Sequence, residues 1–341
     1  MTPAGELLAE EIRREGPISF RRFMDLALYH PAHGYYRQPR DPFGKRGDFY
    51  TTEQIQPVFG ILIAARIAQL RRHMGDPLDF TVVELGAGRK EMAEAFSGWN
   101  YVPVDLGRGK LPEKFRGVVF ANEFFDALPV EAVVYSGGEF RQQLVSLQDD
   151  RFVWAAGAPV NRELFDYFRR YAPPPEEGRW YEANLDALEW MDRIGRSLEA
   201  GYVLTVDYGY TRDEATRFPR GTLMGYHQHM ALEDVLEAPG ERDITSHVNF
   251  TALEEHGAAR GLAKERLETL AQTLLTAGEE DQFAAALASV SRKDELRRRM
   301  QLKTLLFGMG ETFRTLLQRR ESLGNGAFSH RLNLQDVRNI P

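Results

Sequence analysis

The chain has 341 residues, 43% of them hydrophobic, a formal net charge of −7 and no cysteine. It is long enough to bury one large core or two smaller ones. The lack of cysteine excludes disulfides, thiolate-bound zinc, iron–sulfur clusters and thiol nucleophiles. The mild acidity is not the footprint of a nucleic-acid binder, no apolar run is long enough to span a membrane, and the region from Met1 to Ser19 has no secretory apolar core, so a cytoplasmic protein is expected.

Thr2-Pro3 reads as an N-cap followed by proline at the first helical position, and Gly16-Pro17 ends that helix near Glu15. Ser19 caps a second short helix over 20–28. Residues 29–52 are rich in glycine, proline and aromatics, which is too long for a plain connection and points to a functional segment. An amphipathic helix is expected over 57–72. An α/β core follows, with strands expected at 81–85, 101–106, 117–121, 202–208 and 222–226, and a helix over 185–198. Between the third and fourth strands lies an insertion, 130–180. It opens with alternating segments joined by Ser136-Gly137-Gly138, the signature of a hairpin. After Phe250 the pattern is mostly helical, with amphipathic stretches at 252–257, 263–275 and 293–307. The division expected is an N-terminal helical and loop segment (1–75), an α/β core (76–250) carrying the insertion, and a helical C-terminal addition (251–341).

The most informative string is Thr81-Val82-Val83-Glu84-Leu85-Gly86-Ala87-Gly88. A β-branched run makes a buried strand. Glycines just past its end let the backbone turn sharply and approach a ligand. A helix over 90–96 would point free N–H groups at the same spot, which is how a doubly wound sheet makes a nucleotide pocket. Acid-x-Gly-x-Gly is the form typical of S-adenosylmethionine (SAM) sites, and the final glycine of the dinucleotide fingerprint is missing. Glu84 can accept from a ligand amine, or it can cap the next helix. Asp105, ending the second strand, suits two ribose hydroxyls, or it is a turn aspartate before Gly107.

Asn122-Glu123-Phe124-Phe125-Asp126-Ala127-Leu128-Pro129 follows the third strand, at the same sheet edge. Asn122 can face a cofactor or an acceptor. Glu123 and Asp126 can pair with a cationic acceptor. At least one of Phe124 and Phe125 is expected to be only a core anchor. Asp207-Tyr208-Gly209 emerges at that edge again, as pocket wall or as a turn. His227 and His229 are two residues apart and could share a metal, but no third ligand is placed, so no metal site is expected. Arg297-Arg298-Arg299 reads as a solvated helix face.

Together, Gly34-Tyr35-Tyr36, Gly47-Asp48-Phe49-Tyr50-Thr51, Glu84 to Gly88, Asn122 to Pro129, Asp207-Tyr208-Gly209 and Asp243-Ile244-Thr245 through Asn249-Phe250-Thr251 resemble the MidA family of SAM-dependent methyltransferases. That family includes a mitochondrial complex I assembly factor with protein arginine methyltransferase activity. The resemblance covers about 20–317. It implies a class I methyltransferase (Rossmann-like) sheet, SAM held at Gly86 and Gly88, and a loop in which Gly47, Asp48 and Thr51 help close the pocket. It also implies methylation of a protein substrate, with arginine of a respiratory-complex subunit as the specific form. The competing readings are a small-molecule methyltransferase, for which the insertion would close a small pocket, and a non-catalytic assembly protein that keeps the fold.

Overall fold

The computed structural model describes residues 1–37, 56–227, 230–232 and 234–322. Its centre is a seven-stranded sheet. The order is Ala263–Thr269, Phe313–Arg320, Leu198–Tyr210, Phe115–Asn122, Phe80–Leu85, Asn100–Val104, with Val248–Asn249 paired to the end of Leu198–Tyr210. Strands 100–104, 80–85, 115–122 and 198–210 are parallel neighbours, while 313–320 runs antiparallel to both of its neighbours. This is the doubly wound α/β sheet expected from the sequence.

The strands read as near-continuous apolar runs because both faces of the sheet are covered. Val82, Val118, Phe120 and Leu204 turn to one face. There they pack with Leu62 and Ile63 of the helix Val58–His73 and with Leu274 of Leu270–Gly278. Val83, Val119 and Val203 turn to the other, against Met191 and Ile194 of Leu185–Ser197 and Leu253 of Phe250–Ala258.

The insertion builds a second sheet from Glu131–Ser136, Glu139–Gln148, Arg151–Pro159 and Trp180–Ala183. Its first hairpin turns on Gly137 and Gly138, both at positive φ (63° and 85°), as a two-residue turn requires. The N-terminal helices Pro3–Glu15 and Phe20–Tyr29 are capped by the side chains of Thr2 and Ser19. They pack through Leu8, Ile12 and Phe23 on Val130 and Val145 of this unit.

Three expectations are corrected. The stretch 263–275 is not one helix: Ala263–Thr269 is a strand, and Leu270–Gly278 is the helix, begun by a capping box at Thr269 and Gln272. The strand placed at 222–226 is Met224–His227, which belongs to a separate antiparallel sheet with Met230–Leu232 and Asp243–Thr245. The helix expected over 90–96 is a run of turns, entered through Lys90 at φ 64°. Met92 and Phe96 are both buried in the core, and their spacing imitates a helical repeat. No helix among the described residues is long and apolar enough to cross a membrane.

Leu316, fully buried in the strand between 198–210 and 263–269, tests the C-terminal pairing. Leu316→Ala should cost about 2–5 kcal/mol in chemical denaturation. A loss within about 0.5 kcal/mol, as at a surface position, contradicts the register.

Candidate functional site

The parallel register decides where the polar residues emerge. Leu85 lies opposite Val104 and Ala121, and Asn122 lies opposite Val206. Glu84 to Gly88, Asp105, Asn122 to Asp126 and Asp207 therefore leave the sheet along one carboxyl-terminal edge, where open α/β sheets bind ligands. A cleft of about 1430 Å³ runs along it, lined by Glu84, Gly86, Gly88, Asp105, Asn122, Glu123 and Asp126 among others. Gly47, Asp48 and Thr51 lie outside the described residues.

At one end is the glycine turn. Gly86 and Gly88 adopt φ of 69° and 45°, and the N–H groups of Gly86 and Ala87 donate to the Val104 carbonyl at 2.9 and 3.2 Å. A Cβ built on Gly86 would lie 2.9 Å from the Phe124 ring, so this glycine also makes room for the 122–129 loop. A Cβ on Gly88 would meet nothing closer than 3.9 Å, which leaves that backbone open to the cleft. The Glu84 carboxyl is buried and accepts from the Tyr101 hydroxyl. Burial pushes its pKa up to about 7, against the opposing pull of that hydrogen bond. Asp105 Oδ1 accepts the Leu106 N–H at 2.7 Å, and Arg108 sits 3.3 Å from Oδ2 while donating to the Gly88 carbonyl. Leu106, 40% exposed, adds an apolar surface beside it that sequence reasoning did not single out.

At the other end is the 122–129 loop. Glu123 holds φ at 48°, a left-handed conformation that costs a non-glycine residue about 1–2 kcal/mol and often marks a functional constraint. Its N–H donates to the Val206 carbonyl at 3.0 Å, and Asn122 Nδ2 donates to its Oε1 at 3.2 Å. Burial first, then the nearby Asp126, pushes the Glu123 carboxyl from the ordinary 4.5 up to about 8. Asp126 Oδ2 accepts from the Tyr208 hydroxyl at 2.6 Å, whereas Oδ1 has no hydrogen-bond partner. Its pKa is raised to about 6, chiefly by burial. Phe125 is the core anchor; Phe124 lines the cleft with its ring edge-on to Trp190 at 5.3 Å.

The loop is strapped from behind by Asp207, which is fully buried. Asp207 Oδ2 accepts the Phe125 N–H at 3.2 Å and Oδ1 accepts the Tyr208 N–H at 3.0 Å. Asn184 Nδ2 holds the Phe125 carbonyl at 2.9 Å. Sequence reasoning left Asp207 as wall or turn. The available signal was a carboxylate directly after a buried strand, which has to find donors.

Two tyrosines from the N-terminal segment close this end. Tyr29 and Tyr36 stack at 5.6 Å. The Tyr29 hydroxyl donates to the Ala127 carbonyl at 2.6 Å, and that of Tyr36 donates to Asp243 at 2.9 and 3.0 Å. Among the described residues no group of three histidine, aspartate or glutamate side chains is placed to hold a metal ion. His229 lies outside the described residues, and His247 packs edge-on against Tyr208 and Phe218 with its pKa lowered by burial.

A family model for S-adenosyl-L-methionine-dependent methyltransferases matches residues 101–267. A structure from Burkholderia thailandensis, solved with S-adenosyl-homocysteine (SAH) bound, superposes with a TM-score of 0.81 at 28% identity, covering 93% of this chain and 92% of that one. The chain is a SAM-dependent methyltransferase. A second, native Burkholderia structure superposes at TM-score 0.76 and 27% identity, covering 93% of this chain and 91% of that one. Among curated relatives, the Drosophila melanogaster protein arginine methyltransferase NDUFAF7 homolog is 27% identical, over 74% of this chain and 70% of its own. The human protein arginine methyltransferase NDUFAF7 is 26% identical, over 74% and 68%.

The cofactor is SAM, and the edge fits it. There is open backbone at Gly88, a buried carboxyl at Glu84, a second carboxylate at Asp105 and an apolar face at Leu106. Two measurements follow. Gly86→Val, which drives a branched side chain into Phe124 at a positive φ, should abolish SAH binding in calorimetry, while exposed Leu78→Ala leaves it unchanged. Glu123 carries a carboxyl pKa that is higher folded than unfolded, so the folded state holds the extra proton and stability falls as pH rises from about 4.5 to about 8. The Tm of Glu123→Gln relative to the parent should therefore climb by several degrees across that window. A constant offset contradicts the burial of this charge.

Proposed function

We propose that the chain transfers the methyl group of SAM to an arginine side chain of a protein substrate. The observation that carries this is a pair of carboxyl groups, half-buried Glu123 and buried Asp126, lining the cleft beside the glycine turn, with one oxygen of Asp126 unpartnered. The names of the curated relatives agree with it. A protein acceptor is supported further by the cleft itself: it exceeds the roughly 300–1,000 Å³ of ordinary small-molecule pockets, and no described residue of 130–180 lines it.

Gly86, Gly88, Glu84 and Asp105 hold the cofactor in this reading. Glu84 would accept from the methionine amino group and Asp105 from the ribose hydroxyls, and Leu106 would offer its apolar surface to the adenine. Bound SAM would supply a methyl group on a sulfonium, the S–CH3 bond breaking to leave SAH as a nitrogen lone pair takes the methyl. The guanidinium is protonated in water, with a pKa above about 12, so its nitrogen has to be oriented and relieved of a proton. Glu123 faces the guanidinium and accepts that proton at its carboxylate. Asp126, oriented by the Tyr208 hydroxyl, fixes the guanidinium plane through its unpartnered oxygen. Asn122 steers the Glu123 carboxylate, and Phe124, Tyr29 and Tyr36 exclude water.

Glu123→Gln should keep SAH affinity and lower transfer to an arginine peptide by about 10²–10⁴-fold; undiminished turnover removes Glu123 from the reaction. Because only the ionised form accepts a proton, kcat/KM should rise with pH, reach half its maximum near pH 8, the free-enzyme pKa of this group, and level off above it. A flat profile below pH 8 contradicts the assignment.

A further inference from the structure

Three carboxyl groups meet at the acceptor end of the cleft. Glu123 and Asp126 line it; Asp207 lies behind the loop and touches no cleft space. The groups that act on them are one another, Glu91, the Asn122 amide, the Tyr208 hydroxyl and backbone N–H groups. Neighbouring elements add neutral or acidic groups: Tyr29 and Tyr36 from the N-terminal segment, Tyr226 and Asp243 from the small sheet, and the ring of His247 on Tyr208. Arg314, the cross-strand neighbour of Asp207, is committed to Glu214. Among the described residues, then, this cluster has no cation. Buried carboxylates without a counter-ion resist ionisation. Asp126 is 4% exposed, yet its Oδ1 has no partner, so the cluster is built for a donor that comes from outside.

We propose that the missing counter-ion is the acceptor itself: a guanidinium seats against Glu123 and Asp126 in exchange for a proton, and Asp207 is the positioning residue that governs this exchange from behind the loop. The proposal rests on the arginine reading above. The balance is simple. A neutral carboxyl and a guanidinium cation become a carboxylate–guanidinium pair, and the proton goes to solvent. Raised pKa values at Glu123 and Asp126, and a value at Asp207 raised by burial and then by the other two, agree with it. The consequence is selectivity. A neutral isostere gains nothing from the cluster, because it cannot supply the charge that makes ionisation favourable.

The test is calorimetry on the SAH-loaded full chain, titrated with a short arginine peptide and with its citrulline counterpart. Buffers of different ionisation enthalpy are used at about pH 6.5 and about pH 9. The expected result is release of about one proton per arginine peptide at the lower pH and less at the higher, with affinity rising up to ~10-fold per pH unit between them. The citrulline peptide should bind far more weakly and release no proton. Asp207→Asn removes a carboxyl group that competes with Glu123 and Asp126 for ionisation but keeps one acceptor. It should leave SAH affinity unchanged and shift the whole pH dependence downward, which a merely structural role would not do. If that variant does not fold, Glu123→Gln should abolish proton release by the arginine peptide at the lower pH. Arginine binding without proton release, citrulline binding as tight as arginine, or an unmoved pH dependence in Asp207→Asn overturns this proposal alone. No binding of the arginine peptide at either pH overturns the arginine reading, and this proposal with it.

Discussion

The site depends on one constraint: a carboxylate, Asp207, sealed at the end of a buried strand, whose only described partners are backbone N–H groups and neighbouring acids. Its two oxygens hold the amides of Phe125 and Tyr208. That strap, with the Glu123 N–H on Val206 and Asn184 on the Phe125 carbonyl, fixes a short loop tightly enough to keep Glu123 in a left-handed conformation. A loop held less firmly would relax, because the strained backbone and the burial of acidic groups both favour opening it.

The same edge separates two chemistries along one cleft. The glycine-turn half offers open backbone, two carboxyl groups and an apolar surface, which suits a nucleoside. The loop half offers carboxyl groups and tyrosine rings, which suits a cation. The N-terminal segment reaches the second half only because its helices pack on the inserted sheet, through Phe23 and Val145. Additions to the core sheet thus decide what enters beside the cofactor, while the core strands decide where the cofactor lies.

Much of this was legible in the sequence, for identifiable reasons. The strand before Glu84 and the glycines after it carry their geometry locally, as do the caps at Thr2 and Ser19 and the Gly137-Gly138 turn. Grouping Glu84, Asp105, Asn122, Glu123 and Asp126 needed only the rule that parallel strands release their ends along one edge. Other features were hidden. Ala263–Thr269 is a sheet-edge strand whose first four residues, two of them glutamate and arginine and one a lysine, are exposed, and such charge alternation looks like a solvated helix face. The turns after Lys90 share a helix's spacing of buried residues but not its backbone. The role of Asp207 is invisible locally, because its partner Phe125 lies 82 residues away in the chain.

The central claim is that the Glu123 carboxyl at the acceptor end of the cleft stays neutral at neutral pH, with no cation among the described residues to ionise it. Infrared difference spectroscopy of the substrate-free protein at neutral pH, with Glu123→Gln as the reference, reads this directly. The account predicts the carbonyl stretch of a protonated carboxylic acid, insensitive to added salt, that is missing from the Glu123→Gln spectrum. A fully ionised carboxylate signal at that pH would contradict it.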